Sequence, residues 1–495
     1  MRSPHVRRAE PDGPATVLTL SVPYGPPRRL SCADIGTRSQ SPASGLGIPQ
    51  AISLVLGSII GVGVFNLPAS LAPYGPISLV ALGLTTVGAL ALALLFASLA
   101  SRMPADGGPY AYARAGFGNL VGFVSAWLYW LSAWGGNAAI ATGWVLYVEH
   151  FVNTGHNVVF TIMLTLAGIW LAAGINLLGI SSMGRVQLWT SILKYVPLLF
   201  VSVVGLAFVE PANFATWNLS GQSTLAAIGA AMALCLFSYI GVESASVAAA
   251  RVRYPQRNVP RATILGTLAA AVVYMLSLIT VFGLVPNAEL RNATAPFANA
   301  TTNLTGASWA GGAVALVVVI SGFGALNGWT MLSAEMPRAA AQDGLFPAPF
   351  DQLSRRGVPV FGILVSGVLA SVLVLVSYIG EAGITVFNTL ILMNGIAAAI
   401  PYAFSGLAQI KWRIADRRAI STSRFVRDVS VALVSVIFSV LFVVFSRDTE
   451  ASGFAVYLPF VYLLGALIIA VPVYLNSRTR MTQPAGAPPA RAIQS

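Results

Sequence analysis

Of 495 residues, 56% are hydrophobic and 9% are charged, with a mean hydropathy of +0.77, whereas an average soluble domain is about 25% charged. A water-soluble fold is thereby excluded. The excess of 28 Lys and Arg over 16 Asp and Glu points either to nucleic acid or to orientation in a membrane, and its distribution along the chain decides between them. Lipid as solvent allows only helices or closed barrels to span, and apolar runs such as Ile77–Ala100 and Val429–Phe445 lack the alternation of barrel strands.

In chain order, residues 1–47 are rich in Arg, Pro and Ser and are expected to form a disordered tail. Their longest apolar run, Ala15–Val22, is short and is followed by no convincing cleavage pattern, so no signal peptide is assigned. Hydropathy then predicts a membrane-spanning helical domain over 48–474. Its twelve spans lie near 48–72, 76–100, 118–148, 157–179, 187–208, 225–249, 262–285, 309–336, 359–379, 382–408, 429–446 and 452–474. Residues 475–495 form a second polar tail.

Counting basic residues tests this arrangement. With both termini inside, only Arg291 and Arg447 fall in external loops and only Lys194 lies within a span; every other Lys and Arg is cytoplasmic. The basic balance is thus explained by orientation, without nucleic acid. Cys32 and Cys235 lie far apart, and His5, His150 and His156 lie outside the apolar runs, so neither a disulfide nor a metal centre is expected. Sequons at Asn218, Asn292, Asn299 and Asn303 fall in external loops, where polar composition also produces them by chance.

Ionisable groups within spans cost about 2.5–3.5 kcal/mol each on insertion scales and are functional candidates by default. Two lie near mid-membrane, Lys194 in span 5 and Glu243 in span 6; a structural ion pair or a snorkelling side chain is the alternative. Span 1 carries Gly57-Ser58-Ile59-Ile60-Gly61-Val62-Gly63 and span 6 carries Ser238-Tyr239-Ile240-Gly241-Val242-Glu243. Glycine costs about 1 kcal/mol in a helix interior, so each segment is a candidate unwinding point, although close helix packing through small residues gives the same composition. Breaks five spans apart match an inverted repeat with a binding site at the midplane. In span 3, Tyr129, Ser132, Ala133, Asn137 and Ile140 share one helical face, while the stripe Trp127, Trp130, Trp134 reads as packing or lipid contact. Trp329 follows Gly328 deep in span 8, where an indole face is a cation–π platform. Neither a His-Glu-x-x-His, a G-x-S-x-G nor a Walker loop is present, so no enzyme is expected.

The segment Phe237–Ala249, followed by Tyr254-Pro255-Gln256-Arg257-Asn258-Val259-Pro260, resembles the basic amino acid/polyamine antiporter group of the amino acid–polyamine–organocation superfamily. So do Pro104–Arg114, Tyr129–Asn137, and Gly328-Trp329-Thr330 leading to Asp343-Gly344-Leu345-Phe346-Pro347. The resemblance implies an all-α, leucine-transporter-like 5+5 inverted repeat (48–208 and 225–408) with two extra helices (429–474) and broken spans 1 and 6. It further implies that Gly61, Val62 and Gly63 receive a substrate carboxylate. Ile240 and Gly241 would offer carbonyls to its amine, Asn137 would contact its polar part, and Trp329 would stack on its side chain. Tyr129, Phe237 and Tyr402 look like gates and Glu243 like the proton-linked acid. The family's serine is Val62 here, a frequent tryptophan is Phe237, a span-10 serine is Asn394, and a small residue and cysteine of span 3 are Ser132 and Ala133. Lys194 is similar to the span-5 lysine of proton-coupled transporters in the superfamily, where it takes the place of a sodium ion.

The expected function is secondary transport of a cationic amino acid, or amino acid/polyamine exchange, linked to protons and independent of sodium, in the inner membrane. A neutral amino acid symporter is the alternative within the class, and a channel or receptor the alternative outside it. The expected partners are the amino acid or polyamine, protons and the bilayer, with a homodimer allowed and no cofactor.

Overall fold

The computed structural model describes residues 47–103, 107–179, 190, 193–247, 252–381, 383–447 and 456–481. The N-terminal tail over 1–46 with Cys32, most of the C-terminal tail, the Pro104–Asp106 part of one family segment, the Ala248–Ala249 end of span 6 and the predicted starts of spans 5 and 12 lie outside the described residues.

The chain opens with α1 (Ile48–Ile59) and α2 (Gly63–Leu71), a 3-10 turn over Gly75–Ile77, α3 (Ser78–Arg102), α4 (Pro109–Phe117), the 34-residue α5 (Asn119–Val152) and α6 (Val158–Leu177). It continues through α7 (Tyr195–Val204), α8 (Thr224–Leu236), α9 (Ser244–Val247), α10 (Pro255–Leu284), α11 (Asn287–Leu290) and α12 (Pro296–Thr305). The last five are α13 (Ser308–Gln342), α14 (Val360–Ser377), α15 (Gly383–Ala415), α16 (Thr422–Phe445) and α17 (Leu458–Met481). No strand element occurs among the described residues. Nine helical segments there are long and apolar enough to cross a membrane, and Tyr195–Phe208 and Thr224–Tyr239 are shorter apolar helices.

Local chemistry marks the ends. Proline stands in the first turn of α1, α4, α10 and α12, where its missing N–H is not needed. Asn157, Ser223 and Ser421 accept backbone N–H groups at the starts of α6, α8 and α16. Several helices run beyond the predicted spans: α13 continues to Gln342 and α15 to Ala415, and both extensions carry charges. Arg102 pairs with Asp416 just past α15, and that hydrogen bond holds the Asp416 carboxyl below the usual carboxylate range.

α5 packs chiefly against α13 and α15, α10 against α3 and α1, and α15 against α16. Within the apolar window of α15, 78% is buried, against 17% for Leu458–Ser477, which places α15 at the centre and α17 at the rim. Outward-facing Val87, Leu171, Val203 and Ile469 are exposed, as lipid contact requires. The tryptophan stripe is packing: Trp127 Nε1 donates to Ala466 O at 2.9 Å, Trp130 Nε1 donates to Ser366 Oγ at 3.1 Å, and Phe346 fills the space beside both rings.

Small residues set the closest helix approaches. A Cβ on Gly88 of α3 would stand 2.3 Å from the Phe438 ring of α16. Gly88→Ala is therefore expected to lower the melting temperature of the solubilised protein, with a cost of about 1–3 kcal/mol for overpacking. Gly83→Ala, which meets only Met275 Cε at 3.8 Å, is the control. Equal melting temperatures for both variants would show that α3 and α16 do not meet at Gly88.

Candidate functional site

Helical hydrogen bonding lapses at two places that lie against each other. α1 ends at Ile59, Ile60 is extended with ψ 93°, and α2 begins at Gly63. After α8, a 3-10 turn over Phe237–Tyr239 leads to Ile240, extended with ψ 131°, and regular helix resumes at Ser244. Gly241 has φ +109°, in the left-handed region, and a Cβ there would stand 2.9 Å from the Ser58 carbonyl carbon. Backbone conformation and the approach of α1 both demand glycine at this point. Gly63 is crowded by a side chain only, since a Cβ would meet the Phe237 ring at 2.9 Å, whereas Gly61 faces open space.

The carbonyls released at the end of α1 are satisfied by side chains from distant helices. Lys194 Nζ donates to Gly57 O at 2.8 Å and to Ile60 O at 2.5 Å, with the residue 2% exposed. The Tyr274 hydroxyl, from the middle of α10, lies 2.7 Å from Ile59 O and 2.9 Å from Ser238 O, so one hydroxyl hydrogen is shared between the two lapses. Tyr239 stacks edge-on against Tyr274 and bonds Thr86 Oγ1 at 2.6 Å.

Glu243 is completely buried and accepts three donors: the Tyr129 hydroxyl from α5, the Tyr402 hydroxyl from α15 at 2.7 Å, and Gly241 N at 3.2 Å. Two expected gate residues thus converge on the expected acid. The third, Phe237, covers Gly63 and meets Phe387 edge-on at 6.0 Å.

Two cavities follow. The inner one, about 20 Å³, is bordered by Gly61, Val62, Gly63, Ile140, Phe237, Ile240, Trp329 and Asn394, together with Ser238. A volume of that size holds about one water, so an amino acid or amine fits only if an aromatic wall moves. The outer one, about 320 Å³, runs from Tyr129, Gly241 and Trp329 to Glu335, Arg338 and Gln342, and Gln342 is exposed. Trp329 and Ser58 line both, so the indole divides them.

Ser132, Ala133 and Asn137 are buried on α5 but border neither cavity. Ser132 Oγ donates to Asn394 Oδ1 at 2.7 Å and so orients the Asn394 amide at the inner cavity. Asn137 Nδ2 donates to Thr330 Oγ1 at 3.4 Å, and its Oδ1 is buried without a hydrogen-bond partner. Sequence reasoning missed Tyr274, whose only signal was a hydroxyl in the middle of an apolar run. It also assigned no role to Ser238, whose buried hydroxyl lines the inner cavity unpartnered.

Removing the shared donor isolates its effect. Tyr274→Phe keeps the ring and leaves Ile59 O and Ser238 O without that hydroxyl, at an expected cost of roughly 0.5–2 kcal/mol for hydrogen bonds inside a membrane protein. Denaturant unfolding in detergent measures it. An unchanged midpoint would mean that neither carbonyl depends on Tyr274.

The chain matches the amino acid permease family over residues 46–471. It is 32% identical over 361 residues to the putrescine transporter PotE of Haemophilus influenzae, covering 73% of this chain and 82% of that protein. It is 30% identical over 377 residues to the cadaverine/lysine antiporter of Escherichia coli K12, covering 75% of this chain and 84% of that protein. Against the putrescine transporter PotE of the same strain the identity is 30% over 373 residues, covering 75% and 84%. With its helical, multi-span architecture and these likenesses along most of its length, the chain belongs to the amino acid permease family of the amino acid–polyamine–organocation superfamily.

Proposed function

We propose that this protein is a secondary transporter that exchanges a basic amino acid for a diamine or polyamine across the inner membrane, with protons as a coupled species. The observation that carries the reading is the meeting of both helical lapses at one cavity, with Trp329 as its wall and Glu243 behind it. The likeness to a cadaverine/lysine antiporter and to putrescine transporters supports the substrate class.

In this reading the nine long segments, α5 and the two shorter apolar helices make twelve spans with both termini cytoplasmic. Spans 1–5 and 6–10 are inverted repeats, and the lapses are the breaks of spans 1 and 6. The N–H groups at the start of α2, around Gly61, Val62 and Gly63, receive a carboxylate, which a helix N-terminus favours. Carbonyls of Ile240 and Gly241 receive the ammonium group. Trp329 stacks on the cationic side chain, Asn394 and Ile140 shape the pocket, and Asn137, held with Ser132 and Ala133 on α5, presents its unpaired oxygen when the site opens. Tyr129, Phe237 and Tyr402 move as gates, and Glu243 exchanges the proton. Lys194 donates to the span-1 carbonyls from the place that a sodium ion would otherwise take, which leaves sodium no role.

Reconstituted vesicles test this. Labelled lysine or putrescine uptake is expected to rise several-fold when the lumen holds an unlabelled basic amino acid or diamine, and to be unchanged when external sodium is replaced by choline. Uptake confined to neutral amino acids, or without stimulation from the far side, would overturn the exchange reading.

A separate measurement addresses Glu243. Glu243→Gln keeps the size of the side chain but cannot titrate, so substrate binding is expected to persist while exchange loses the pH dependence seen in the wild type. A variant with the wild-type pH profile would move the proton site elsewhere, with Lys194 as the next residue to replace.

A further inference from the structure

The outer cavity holds a charged group that the proposed mechanism does not use. Its walls are mainly apolar, including Leu54, Val247, Met331 and Leu332, and Glu335 is the one carboxylate among the described lining residues. Glu335 lies six residues beyond Trp329 on α13, and Leu332 between them also faces the cavity, so the three residues form one helical stripe. A rise of 1.5 Å per residue sets Glu335 about 9 Å further along the axis than Trp329. That is roughly the length of an extended five-carbon diamine ending in one charge-assisted hydrogen bond of about 2.8 Å.

The resting partner of Glu335 is replaceable. Arg338 NH1 stands 3.2 Å from its carboxylate on the same helix, and the side chains are 22% and 25% exposed, so water reaches both. Arg338 Nε is also 3.9 Å from Asp351. If an ammonium group takes Glu335, Arg338 keeps a second carboxylate, and no buried charge is left alone.

Resting on the exchange reading above, we infer that Glu335 is the site for the distal ammonium group of a linear diamine whose other end lies at Trp329 and the lapse at Gly241, and that it selects dications over monoamines. A zwitterion held by its carboxylate at Gly61–Gly63 has an anchor that a diamine lacks. Glu335 supplies the diamine with a different one, at the solvent-connected end of the cavity.

The test compares 1,5-diaminopentane with 1-aminopentane as competitors of labelled substrate in vesicles containing the full-length protein. The wild type is expected to prefer the diamine by about tenfold or more, the scale of one hydrogen bond to a charged group. Glu335→Gln should abolish that preference with little change for the monoamine. Arg338→Gln, which frees Glu335 from its partner, should increase it. A Glu335→Gln protein that keeps the wild-type ratio overturns the inference, as does an Arg338→Gln protein with an unchanged or weakened preference. The Arg338 arm stands even if the Glu335 variant does not fold. Failure of the wild type to recognise any amine would instead reject the exchange reading itself.

Discussion

The structure depends on how polar backbone is kept satisfied where the helices are interrupted. In the hydrocarbon region no bulk water is available to accept this task, and each unsatisfied group costs several kcal/mol. At the end of α1, three successive demands, Gly57 O, Ile60 O and Ile59 O, are answered by Lys194 and Tyr274. Tyr274 also reaches Ser238 O, so the two interruptions have a common donor and a common wall. Lys194 and Tyr274 stand on elements remote in sequence, and the site exists only where α1, α7 and α10 are brought together.

Glycine makes that proximity possible. Gly241 combines a left-handed φ with a backbone approach that admits no Cβ, and Gly63 leaves room for Phe237. Because each glycine answers a specific neighbour, the two interruptions are positioned against one another and not simply loosened. The tryptophan stripe on the opposite side of α5 anchors that helix to α14 and α17 through indole hydrogen bonds, and to Phe350 between α13 and α14 through a ring contact. α5 can therefore carry Tyr129 toward Glu243 on its other face while remaining firmly packed.

Much of this was legible in the sequence because helices and lipid leave local marks. Apolar runs outline the long helices, and Gly61, Gly63 and Gly241 stand out as glycines where a helix should continue. The rest was hidden because it lies in contacts between distant segments. Nothing in the periodicity of α10 says that Tyr274 spans two interruptions, and nothing in α5 says that Ser132 holds the Asn394 amide. Glu335 carries no local mark of function in the sequence; only the cavity shared with Trp329 gives it a site to serve.

The partners of Glu243 suggest why an acid at this point can connect a proton to the scaffold. As a carboxylate it accepts from Tyr129, Tyr402 and Gly241 N, on three separate elements, with no donor of its own. Protonation converts one oxygen into a donor and weakens the charge-assisted bonds that remain. A tyrosine hydroxyl facing that oxygen must rotate or retreat, and Tyr129 lines the outer cavity beside Trp329, the residue dividing it from the inner one. Under the proposed coupling, a single proton therefore alters the hold between α5, α15 and the Gly241 segment at the partition itself. Such a change can favour one arrangement only to the extent that the proton binds the two arrangements differently. The three-donor cradle would provide that difference if the other arrangement draws its donors apart, because it is complete around the charged form and poorer in hydrogen bonding around the neutral one.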